Sequence, residues 1–228
     1  MFQQLSGRLG NQLFQWAYSH YLNETFNIKI KLFNDQYHTK QNLLHELITS
    51  CEHCENGEIR NSLGLSLRIM DKINSINNKE KRALFHKFRI LRSIDSYEIP
   101  LISNWKPFLI SGFFIGNTVV NIYSEILYEE LIATLQKVKI EELPKGDFQL
   151  FHLRYGDYLT TNKTFGNLSL EYYSRNRDKR LPLIITTDSL DQLDYIDSKF
   201  KPSKIFTPSN SDSWQALKIM SHSTNFVM

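Results

Sequence analysis

The chain has 228 residues, of which 41% are hydrophobic, 22% charged and 13% aromatic, and its formal net charge is +3. That length can bury a substantial core in one large domain or two small ones, and the composition excludes a disordered tail or a fibrous repeat. The charge surplus is too small and too scattered to predict nucleic-acid binding.

In chain order, Phe2–Leu5 reads as a short strand, Asn11–Leu22 as a helix and Asn27–Phe33 as a second strand, in which Ile28, Ile30 and Leu32 alternate with polar residues. The turn between the first two is GRLGNQLFQWA. Gly7 and Gly10 permit a tight bend and a close backbone approach, while Leu13, Phe14, Ala17 and Tyr21 recur at a spacing that lays one apolar face on a sheet. A helix N-terminus delivered to a sheet edge offers amides to an anion or a sugar hydroxyl, and Arg8, Asn11 and Gln12 would share that crevice. A plain strand-to-helix turn explains the two glycines equally well. GxxGN is not the dinucleotide fingerprint GxGxxG, so no nicotinamide cofactor is expected.

Residues 1–20 lack a basic start followed by a long apolar stretch, and no run approaches the roughly 20 apolar residues that cross a bilayer, so the chain is read as cytosolic. Gln41–Ser50 reads as helical. Cys51 and Cys54 in CEHC have the spacing of half a zinc site, with His53, His45 or His38 nearby, but no second ligand pair follows and two reduced cysteines are the favoured reading. The basic stretch Lys79–Ser93 has the pattern of an amphipathic helix. Its cations could meet an acidic partner or the inner face of a membrane, although a solvated face is preferred.

From Leu109 onward strands and helices alternate. LISGFF is a strand, Val119–Lys137 a helix, FQLFHLR a strand, and a helix begins near Ser169. LPLIITT, Leu190–Phe200, Lys204–Phe206, Ser213–Ser221 and TNFVM continue the pattern as strand, helix, strand, helix and strand. Strands separated by helix-sized segments predict βαβ units and parallel sheets. EELPKGD supplies charge, Pro and Gly near residues 138–147 and marks a boundary, giving an N-terminal α/β domain over 1–140 and a second over 141–228. Ligands of such sheets sit beyond the carboxyl ends of the strands.

Two strand ends carry chemistry. In FHLRYGDY, alternation puts Phe151 and Leu153 on one side and His152 and Arg154 on the other, so two polar groups emerge together. An arginine there can grip a diphosphate with a forked pair of hydrogen bonds, His152 can donate to a phosphate or base, and Asp157 can orient the arginine or the loop. A surface Arg–Asp pair closing a turn is the plainer explanation. In IITTDS an apolar strand ends in hydroxyls and a carboxylate. Asp188 could accept from a ribose or a guanine edge, but capping the next helix is the favoured single role. Of Tyr172 and Tyr173, one ring is expected to pack on the core.

Taken in order, GRLGNQLFQWAYSHYL, SGFFIGN, FHLRYGDYL, SLEYYSRN, IITTDS and SWQALKIMSHSTNFVM resemble glycosyltransferase family 11, the α-1,2-fucosyltransferases. Its members open with GGLGNQLFQYA and carry HxRxGDY. The resemblance covers nearly the whole chain and is weak between residues 35 and 105. It implies a GT-B-like α/β fold, two Rossmann-type open parallel sheets facing a cleft, with GDP-β-L-fucose held mainly by the C-terminal domain and acceptor groups contributed largely by the N-terminal one.

The reaction implied is inverting transfer of L-fucose to a hydroxyl, the 2-OH of a terminal galactose of a surface glycan, with no cofactor and no required metal. Carried over, Arg154 binds the donor diphosphate, His152 and Asp157 complete that site, and Thr187 and Asp188 help hold the nucleoside. Asn11 and Arg8, with the Gly10 turn, lie across the cleft near the fucose or acceptor. Arg154 and Asn11 are the catalytic candidates, and no residue identifies itself as the base.

The sequence departs from the family pattern at Ser189, where the family has a second aspartate, and at Tyr155, where HxRRGD variants have arginine. Members also continue past HSTNFVM into a block like ANSTFSWWGAYL, so the second sheet is expected to be incomplete and catalysis by these residues impaired. The alternatives are a transferase using another GDP-sugar and a non-catalytic remnant that binds a nucleotide sugar.

Overall fold

The computed structural model describes residues 2–5, 7–28, 30–34, 91–94, 109–112, 128–140, 143, 145–155 and 168–228. The chain divides into two compact units, Met1–Thr134 and Leu135–Met228. The expected helix Gln41–Ser50, the cysteines of CEHC, the first part of the basic stretch and the start of the Val119–Lys137 helix lie outside the described residues.

The first unit contains a four-stranded parallel sheet in the order β2-β1-β4-β3, with β1 Phe2–Leu5, β2 Lys31–Asn34, β3 Leu91–Ile94 and β4 Leu109–Gly112. Helix α1, Leu9–Phe26, follows β1 directly. It ends at Asn27, whose left-handed backbone (φ 51, ψ 44) turns its N–H onto the carbonyls of Leu22 and Asn23. Asparagine tolerates that conformation because its short polar side chain bonds locally. The turn delays the second strand, which the alternation predicts from Asn27 and which begins at Lys31. Ile28, Ile30 and Leu32 are all buried, as their alternation requires.

The end of the basic stretch is a strand, not the helix its spacing predicts. Leu91–Ile94 pairs in parallel with Leu109–Gly112, so cross-strand bonding overrides the helical spacing of its last residues. The buried face of α1 also differs from the expected one. Gln15, Trp16, Ala17, Tyr18 and Ser19 are buried in succession, whereas Leu13, Phe14 and Tyr21 are only partly covered. Two glutamines of the helix, Gln12 and Gln15, are among the buried residues. Gln12 Nε2 donates to the Gly7 carbonyl at 3.1 Å, and the main-chain carbonyl of Gln15 accepts from Nε2 of Gln3 on β1 at 2.5 Å. Helical residues 128–137, α2, bring Glu130 to 4.0 Å from His20 on α1.

The second unit contains a parallel sheet in the order β7-β6-β5-β8, with β5 Gln149–Leu153, β6 Leu183–Thr187, β7 Lys204–Phe206 and β8 Asn225–Val227. Helices α3 (Leu170–Arg175), α4 (Leu193–Phe200) and α5 (Ser213–His222) connect its strands. Every residue of β6 is buried, the pattern of a strand covered on both faces.

The two faces have separate cores. Phe151, Leu153, Leu183 and Ile185 pack with Tyr155, Tyr173 of α3 and Ile196 of α4, while Leu150, Ile184 and Phe206 pack with Phe148 and Ile219 of α5. Asp212 starts α5 in a reciprocal box, accepting from the Gln215 N–H while the Gln215 side chain accepts from its own. At the amino end of β5, buried Gln149 donates to the Asn176 carbonyl and accepts from Arg177 and the Asp178 N–H, which fixes where the sheet begins.

Candidate active site at the carboxyl end of the second sheet

In the second sheet β6 and β7 leave β5 on one side and β8 lies on the other, so the connection reverses at β5. Crevices of open parallel sheets form beyond the strand ends at such a reversal. His152, Arg154 and Tyr155 occupy that end of β5. The alternation holds. Phe151, Leu153 and Tyr155 all belong to one core cluster, which leaves His152 and Arg154, both partly buried, on the other side.

The end of β6 braces the end of β5. His152 stands opposite Thr186 in register, and its Nδ1 lies 2.8 Å from the Thr186 hydroxyl. Asp188 Oδ1 accepts from the Tyr155 N–H at 3.0 Å. That bond corrects the expected cap. The carboxylate of Asp188 reaches sideways to the neighbouring strand, and the short helical turn Leu190–Gln192 has no side-chain cap. Thr187 turns inward, and its hydroxyl accepts from the Ser189 N–H at 3.1 Å. Ser189, at the position where a second aspartate was expected, is buried and donates to Asp191 Oδ1 at 2.9 Å. Asp157 lies outside the described residues.

Two tyrosines bond the backbone around Arg154. Tyr173 donates to the His152 carbonyl at 2.9 Å, and Tyr155 donates to the Leu168 carbonyl at 2.7 Å. Tyr173 is buried against Phe151 while Tyr172 is exposed, so the pair divides as the sequence suggested. Burial, then the nearby Glu171 charge, pushes the Tyr155 phenol up to about 12, and burial raises Tyr173 as well. A raised phenol favours the fold while the group is neutral in both states. That contribution is therefore lost as pH rises from about 10, where the unfolded chain ionises, through about 12. The signal for Tyr155 was present in the sequence, since it continues the inward series Phe151, Leu153.

In the first unit, β1 and β4 are neighbours while β2 lies on the far side of β1, so the Gly7–Gln12 turn also stands beyond a strand end where the order reverses. Gly7 takes φ +78, and a Cβ there would come within 2.3 Å of the Asn11 amide nitrogen. Asn11 is thus folded over Gly7. Arg8 is exposed at the start of α1, with no side-chain cap to the helix, and among the described residues nothing lies within 4 Å of where a Cβ on Gly10 would stand. Gln12, expected in the crevice, is buried with its amide on the Gly7 carbonyl. Among the described residues no cluster of three or more histidines, cysteines or carboxylates is arranged to hold a metal, and no helix is long and apolar enough to cross a membrane.

No protein-family model matches the chain, and no curated protein matches it significantly. A solved crystal structure, of NodZ alpha-1,6-fucosyltransferase soaked with GDP-fucose, superposes over 97% of this chain and 81% of that one at 10% identity and a TM-score of 0.44. A likeness at that level identifies neither fold nor activity. Both units described here are α/β, each built on a parallel sheet.

Proposed function

We propose that the second unit binds the diphosphate of a GDP-sugar and that the protein is an inverting fucosyltransferase using GDP-β-L-fucose. One observation carries the reading: an arginine and a histidine of an HxRxGD sequence stand together at the carboxyl end of β5, where the strand order reverses. In the transfer, an acceptor hydroxyl forms a bond to the anomeric carbon and loses its proton to solvent as the bond from that carbon to the diphosphate oxygen breaks. The electron pair departs with GDP. Arg154 offers two parallel N–H donors to that growing charge, and His152 offers a third from the imidazole.

Because the Arg154 charge and the His152 donor meet the leaving group, the reaction needs no metal on this reading. The acceptor is assigned as the 2-OH of a galactose-ended surface glycan, following the family resemblance, and Arg8, Gly10 and Asn11 are assigned to the acceptor side.

Calorimetric titration with GDP in the presence of a chelator tests the donor site. The wild type should bind. Arg154→Ala should weaken binding by roughly tenfold to a hundredfold, the cost of removing a charge-assisted pair. Arg154→Lys should recover only part, since an ammonium cannot reproduce the fork. Equal affinity in all three would remove Arg154 from the site.

A further inference from the structure

We propose that Thr186 is a positioning residue for donor binding, holding His152 by Nδ1 so that Nε2–H is the ring's donor to a phosphate oxygen; this rests on the GDP-sugar reading above. Thr186 faces His152 across the β5–β6 ladder, and both lie on the sheet face whose lower positions are Leu150 and Ile184. The pair is therefore a polar cap on an apolar layer.

Thr186 is 3% exposed, so its hydroxyl must be satisfied inside the protein, and its branched Cβ restricts χ1 in a strand. It is a stiff anchor. The 2.8 Å contact alone fits either ring tautomer, but the buried Thr186 hydroxyl needs an acceptor for its own proton, and a neutral imidazole that takes it at Nδ1 carries its proton on Nε2. An anion requires a donor, which that tautomer supplies without protonation. The backbone is held independently, because the Tyr173 hydroxyl bonds the His152 carbonyl from the opposite face. Carbonyl and ring are thus held from different elements, α3 for the carbonyl and β6 for the imidazole Nδ1.

The test combines nitrogen NMR of the histidine rings with GDP titrations of the whole chain. About two pH units above the ordinary imidazole value, His152 should be protonated on Nε2, and GDP should shift that nitrogen more than Nδ1. Thr186→Val, close in shape but without the hydroxyl, should weaken GDP binding about five- to tenfold, and Thr186→Ser should restore it to within about twofold. A proton on Nδ1 in the wild type would overturn the proposal even if the valine variant failed to fold. Equal GDP affinity in wild type and Thr186→Val would overturn it while leaving the donor site intact, whereas no GDP binding by the wild type would overturn the donor reading and this one together.

Discussion

Asp188 illustrates what one residue's number in a sequence can and cannot convey. Its place at the end of an apolar strand was legible, because LPLIITT has no other reading than a buried strand. Its partner was not, since the Tyr155 N–H lies 33 residues away and is reached only through the β5–β6 register. A carboxylate bonded to a backbone amide stiffens the start of the segment that follows Arg154. Asp188→Ala should therefore lower stability by about 1.5–3 kcal/mol, the usual worth of a hydrogen bond to a charged group, measured by urea unfolding. GDP binding should weaken with it. An unchanged midpoint with GDP binding abolished would return Asp188 to direct contact with the nucleoside. Thr187 shows the same limit, because its hydroxyl turns inward to Ser189, a contact set by the local backbone path.

At the scale of elements, most of the strand and helix pattern was legible because apolar alternation and helix-sized spacers survive in the sequence. Two failures have physical causes. Leu91–Ile94 is a strand because β4 supplies a partner that no local window contains, and α1 buries Gln12 because the Gly7 carbonyl accepts from its amide. The turn joining β1 to α1 divides its two glycines by role. Gly7→Ala should cost about 1–2 kcal/mol, since φ +78 disfavours any Cβ and the added methyl collides with Asn11. Gly10→Ala should leave stability unchanged or raise it by up to about 1 kcal/mol, since among the described residues nothing lies within 4 Å of the added methyl and alanine favours a helix. Chemical unfolding of the two variants decides this. If the Gly10 variant is as stable as the wild type yet transfers poorly, the openness at Gly10 serves a ligand.

For the whole molecule, the sequence conveyed the α/β class and the parallel strands, because β1 and α1 of the first sheet and every strand of the second alternate with helices along the chain. Strand order was beyond it. Which strand lies beside β5 depends on crossovers that leave no local mark, and that order is what places His152 and Arg154 at a reversal in the second sheet. The central claim is that this strand end grips a GDP-sugar for transfer. Its most direct test is mass-spectrometric detection of fucose transferred from GDP-fucose to galactose-ended acceptors in the presence of chelator, by the wild type and by Arg154→Ala. The account predicts an acceptor heavier by one fucose residue with the wild type and little or none with the variant. An unchanged acceptor with the wild type, or equal transfer by the variant, would contradict it.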